Sequence, residues 1–225
     1  MTKSLGKLIC AIVILLQPIA LLAQSDVTEF MGVAVDGNKS EVIRKLKSKG
    51  FKAGPFKEDV LSGQFNGTTV NVFLSTNESN KVWRIEVVDA NTLSEEKIKT
   101  RFNKLCKQFQ GNKSYLPMSD STIKRYMIPE GADISKEISV KKKRYEAIFY
   151  QKPTDFDSLV NERTKIVTKK SFQKEDEINY KNIMRRLLEA YESGMVVWFT
   201  ILKVSDGYQI AMFFENRSQK PNGAD

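Results

Sequence analysis

The feature that most limits how this chain can fold is the pair Asn66-Gly67, set between two alternating runs. Leu61, Gly63 and Phe65 alternate up to the pair, and Val70, Val72 and Leu74 alternate away from it. Asn and Gly both tolerate positive φ, so a two-residue turn closes a β-hairpin with one apolar face. Such a face must be covered, and a sheet with one buried side calls for helices laid against it.

The helices are legible as 3.6-residue periods. Asp36 to Gly50 predicts a first helix, with Asn38 and Glu41 in a capping-box pattern, Val42, Ile43 and Leu46 on one face, and Gly50 as its stop. Thr92 and Glu95 open a second, in which Ile98, Phe102, Leu105, Cys106 and Phe109 share a side while Lys97, Lys104 and Lys107 point away. A third spans 176–193, with Tyr180, Ile183, Met184, Leu187, Leu188 and Tyr191 on one side and acids at its dipole-favoured start. A strand carries Trp83, Ile85 and Val87 on one face, an extended segment runs from Ile138 to Tyr150, and a last hairpin, 196–214, turns at Asp206-Gly207. The expected fold is therefore α+β: a largely antiparallel sheet of about six strands built from hairpins, with about three helices on one face. A single domain covers 24–217, with polar loop stretches at 112–133 and 152–174 and a disordered tail at 218–225.

Residues 1–23 read as a signal peptide. Lys3 and Lys7 precede the apolar run Leu8–Leu16, Pro18 interrupts it, and Ala23 stands before polar sequence. The run is short of the ~20 residues of a bilayer span. Cleavage near Ala23 would leave a mature chain with no transmembrane span, Cys106 as its one cysteine, and +7 of the full chain's +9 charge. An exported chain without an intramolecular disulfide suits a bacterial envelope, periplasmic or extracellular, and positive charge favours acidic partners. Acidic glycan, lipid headgroups and acidic proteins lie in that compartment; nucleic acid is not expected.

Composition removes several chemistries. The chain has no histidine, which excludes Ser-His-Asp and Cys-His catalysis and the commonest ligand of zinc, copper and non-haem iron. Ser-x-x-Lys occurs at Ser94/Lys97, Ser121/Lys124, Ser139/Lys142 and Ser171/Lys174, without the companion elements of penicillin-recognising enzymes. No catalytic residue, metal ligand set or cofactor motif emerges. Cys106 sits on an apolar helix face and reads as core. The basic run Lys141, Lys142, Lys143 and Arg144, with Tyr145, Phe149 and Tyr150 after it, reads as a polyanion-binding site or as charge protecting an edge strand. Trp83 and Trp198 read as core, with sugar stacking as the functional alternative.

From Phe30 to Val88 the pattern Phe-Met-Gly-Val, Lys-Gly-Phe, Gly-x-Phe-Asn-Gly and Val-x-Val resembles a family of uncharacterised exported proteins from Gram-negative anaerobic bacteria, as does the closing Val-Trp-Phe-Thr-Ile and Met-Phe-Phe-Glu-Asn. A helix followed by three meandering strands is also distantly similar, in topology alone, to β-lactamase-inhibitor-like and outer-membrane assembly lipoprotein modules, which present a sheet face or loop to a protein. These resemblances imply an exported, non-enzymatic binding protein of the cell envelope. The alternatives are an electrostatic binder of acidic glycan or lipid headgroups through a basic edge strand, and a histidine-independent hydrolase using paired carboxylates.

Overall fold

A computed structural model describes residues 27–54, 60–116, 119–171, 173–192 and 195–223. The expected leader, residues 1–23, lies outside them.

The Asn66-Gly67 pair does what its chemistry predicts. Asn66 at φ 50° and Gly67 at φ 73° join β4 (Leu61–Phe65) to β5 (Thr68–Thr76) in register, Phe65 opposite Thr68 and Leu61 opposite Val72. Upstream lie a short ribbon, β1 (Glu29–Phe30) and β2 (Val33–Ala34), helix α1 (Lys39–Ser48) and β3 (Lys52–Ala53). Downstream come β6 (Val82–Asp89), α2 (Glu95–Gly111), α3 (Asp120–Tyr126), α4 (Ile134–Ser139) and β7 (Glu146–Tyr150). Helices α5 (Phe156–Val167) and α6 (Lys174–Glu192) then lead into the hairpin β8 (Met195–Val204) and β9 (Gly207–Asn216).

The main sheet has seven strands in the order β3-β4-β5-β6-β9-β8-β7, every neighbour antiparallel. The β6–β9 pair sews the N-terminal meander to the C-terminal one. Alternation sends Val72, Val87, Met212 and Phe199 to one face, where Val42 and Leu46 of α1, Phe102 and Leu105 of α2, Ile123 of α3 and Ile134 of α4 close over them. Phe102, Phe149 and Phe199 are fully buried there.

The α+β expectation stands, but the counts were too low: seven strands and a ribbon rather than about six, and six α-helices among the described residues rather than about three. Helices α3 and α4, of 7 and 6 residues, are too short to show a period. They and α5 occupy stretches that read as polar loop or extended chain. The segment expected to be extended from Ile138 to Tyr150 is instead the end of α4, a turn with Lys142 at φ 55°, and then β7. Ser94 caps α2 in place of Thr92. Asn38 stands at the N-cap of α1 as expected, but its side chain makes no capping bond, and the Glu41 carboxylate pairs with Lys45. In α6, Ile183 is buried but Met184 and Leu188 are exposed. At the chain end, where disorder was expected from Ser218, Arg217–Gln219 forms a 3-10 turn held by the Asn77 side chain.

Candidate functional site: the outer face of the sheet

The same alternation that fills the core aims a second set of residues outward. The registers align Phe73, Glu86, Phe213, Trp198 and Ile148 in one row across β5, β6, β9, β8 and β7. At strand spacings of 4.7–4.9 Å this row spans roughly 19 Å. Phe73 is 38% exposed, as is Leu202 farther along β8. Trp198 and Phe213 stack at 4.0 Å between ring centroids and 15° between planes, a cross-strand pair that gives the row a rigid centre.

The adjacent row is more polar: Ser75, Arg84, Glu215, Val196 and Tyr150. Glu215 is buried, and its carboxylate is fully engaged. Its Oε1 accepts from Trp198 Nε1 at 3.0 Å and from Arg84 Nε at 3.0 Å, and Oε2 accepts from Arg217 Nε at 3.1 Å. Burial by itself would raise its pKa, but the hydrogen bonds from Trp198 and Arg217 and the charge of Arg84 hold it below the usual carboxylate range. Glu86, in the apolar row, goes the other way: burial raises it, only partly offset by Arg84.

Arg84 also lies 4.3 Å from the Trp83 ring centroid and 5.4 Å from that of Phe213, and Lys220 lies 5.8 Å from Trp83. A register shift at Ser75/Thr76 opens the ladder here, so Val82 rather than Trp83 joins the core beside Ile85 and Val87. Trp83 is buried as expected, though outside the main cluster and beside Arg84 and Lys220, whereas Trp198 is only half-buried on the outer face. The signal for Arg84, Glu86 and Trp198 lay in strand phase, opposite to Ile85, Val87 and Val197. The partners of Arg84 and Glu86 on β9 lay more than a hundred residues away, beyond local reading.

The basic run falls in the turn between α4 and β7 rather than in an edge strand. Lys143 pairs with Glu137 at 2.5 Å, Lys141 reaches the same carboxylate at 3.8 Å, and Arg144 pairs with Glu146 at 2.5 Å. Lys142 has no ion-pair partner among the described residues. Hydrogen bonds from Lys143 and then Tyr145 keep Glu137 ionised to lower pH than usual, so acids and bases interleave across the turn. Of the Ser-x-x-Lys matches, Ser139 is bonded not by Lys142 but by Lys203, at 2.6 Å on the exposed surface. Cys106 is fully buried, and burial pushes its thiol up to about 12.

Two depressions lie among the described residues. One, of about 510 Å³, is polar and lies at the start of α6, where Asp176 is held by Lys169 and the Gln173 amide. The other, of about 330 Å³, has aromatic walls from Phe65, Phe109, Tyr115 and Phe214. Among the described residues no group of three or more Cys, Asp or Glu side chains converges to hold a metal ion, and no helix is long and apolar enough to cross a membrane. Comparison of the chain with family models, curated proteins and solved structures finds no match.

Proposed function

We propose that this chain is an exported, non-enzymatic binding protein of the bacterial cell envelope that holds an acidic protein partner against the outer face of its sheet. The observation that carries this reading is the Phe73–Glu86–Phe213–Trp198–Ile148 row, apolar in four positions of five and opposite the face that α1 to α4 cover. Aromatic residues and arginine, rigid and partly desolvated, are the side chains that anchor protein interfaces. Charge gives the partner its sign. Beside the middle of the row Arg84 and Arg217 engage the buried carboxylate of Glu215, and Lys220 lies near Trp83, on a chain of net charge +9. An apolar patch flanked by acids complements that surface.

The test is a pull-down from envelope extract on the immobilised chain, washed through a salt series, beside a Phe73→Glu/Leu202→Glu variant. Both positions are exposed, so the fold is left intact. The expected result is an acidic protein retained at high salt by the native chain and lost by the variant. Equal retention by the variant rules out the outer face. Capture that fades with salt and consists of glycan or lipid moves the function to Lys141–Arg144.

A further inference from the structure

The 330 Å³ cleft lies on the covered side of the sheet, between the β1–β2 ribbon, the β4–β5 turn and the C-terminal end of α2. Its aromatic walls are set by packing: Phe65 and Phe214 meet edge-on at 6.4 Å, and Phe109 and Tyr115 at 4.8 Å. At the mouth Met31 is 40% exposed; with Gly32 it makes the two-residue turn of the β1–β2 ribbon, which sets its φ at 53°. Across from it Asn66 bonds Gln108 at 3.4 Å.

Two polar groups of the cleft are unspent. Glu29 is its one charged lining residue, and its carboxylate has no ion-pair partner among the described residues. The Tyr115 hydroxyl likewise makes no hydrogen bond there. Burial, and then the charge of Glu29, keep that phenol protonated well beyond neutral pH, which also places the carboxylate within electrostatic reach of the hydroxyl. On a chain of net charge +9, a pocket lined by aromatic faces and one carboxylate, with no Lys or Arg, is a local reversal of sign.

We propose that this cleft binds a small organic amine carried on an apolar body, the ammonium against Glu29 and the body between Phe65, Phe109, Tyr115 and Phe214. The aromatic faces attract a cation by their quadrupoles while burying its hydrocarbon, and the Tyr115 oxygen accepts one ammonium hydrogen. The carboxylate disfavours an anion of the same shape, and a neutral isostere forgoes the charge contacts. The volume suits a ligand of about ten heavy atoms.

The experiment titrates the full chain with three probes of one shape, phenethylammonium, 2-phenylethanol and 3-phenylpropionate, by ligand-observed NMR at neutral pH. Phenethylammonium should bind about tenfold more tightly than the alcohol, with the carboxylate weakest. Glu29→Gln, a change at an exposed side chain, should cut the preference for the amine to the smaller part the aromatic faces supply, without moving the thermal midpoint. Equal binding of amine and alcohol by the native chain overturns the proposal, as does a preference undiminished by Glu29→Gln, or no saturable binding of any probe. The outer-face reading is untouched by failure here, since none of these residues lies on that face.

Discussion

At the scale of single residues, Glu215 concentrates the energetics of the outer face. A carboxylate 4% exposed is tolerable only because each oxygen is met by donors, from Arg84 and Trp198 on one side and Arg217 on the other. Its depressed pKa fixes the sign of the pH dependence. A group with folded pKa below its unfolded value stabilises the fold above the ordinary Glu value of about 4.3, and that contribution is lost as pH falls through the folded value. Glu215→Gln should therefore cost about 3 kcal/mol at pH 7, because Arg84 would be left half-buried without its counter-charge. Urea unfolding at pH 7 and at successively lower pH starting from about 4 checks this: the gap between the two proteins should narrow as pH falls. A gap that persists in acid would assign the loss to packing. The Cys106 thiol, by contrast, is uncharged at neutral pH and contributes as a core side chain.

Among the elements, the β4 strand shows how one missing atom sets a junction. A Cβ on Gly63 would lie 2.5 Å from the ring of Phe51, which is buried and bounded by Phe30 at 5.9 Å. Glycine there lets the chain leaving α1 lay Phe51 flat on β4. Gly63→Ala should destabilise by about 1–3 kcal/mol although alanine suits a strand better, and Phe51→Leu should recover part of the loss in the double variant. Thermal denaturation of the three proteins measures it, and a neutral single variant would show that Phe51 moves freely. Elements like this one mark the limit of what the sequence shows. The Asn66-Gly67 hairpin and the apolar face of α2 were legible, because each is a local pattern of conformational preference and period. Asp206-Gly207 was legible as a turn but misplaced: Ser205 and Asp206 make it, and Gly207 opens β9, where a Cβ would come within 2.6 Å of the Leu93 carbonyl. Short α3 and α4 left no period to see. The outer row could be read as a strand phase, but its alignment across five strands, and the Arg84–Glu215 contact, depend on registers that only tertiary folding sets.

At the scale of the whole molecule, apolar burial divides the chain unequally. The main core gathers residues from Phe30 to Phe214 and joins both meanders through the β6–β9 ladder. The α5–α6 hairpin closes instead over small clusters of its own: Leu159, Ile166 and Ile183 in one, Phe156 with Leu116 in another, where Tyr150 of β7 makes the link to the sheet. It leaves Ile178, Met184 and Leu188 at 53%, 38% and 57% exposure, and its pairs Arg185–Glu189 and Arg186–Asp155 are solvent-facing and contribute little. Local opening free energy follows buried apolar contact, so the hairpin should open far more often than the sheet. Hydrogen exchange at neutral pH should therefore show amides of α5 and α6 exchanging at least about tenfold faster than those of β6, β8 and β9, with α2 protected like the strands. Equal protection would mean that the Tyr150–Leu116–Phe156 contact couples the hairpin to the sheet as firmly as the main core couples its own layers. Unequal protection would leave the outer row on the rigid part of the molecule. Aromatic anchors on a rigid sheet bind without first being ordered, which is what a docking surface built on Trp198 and Phe213 requires.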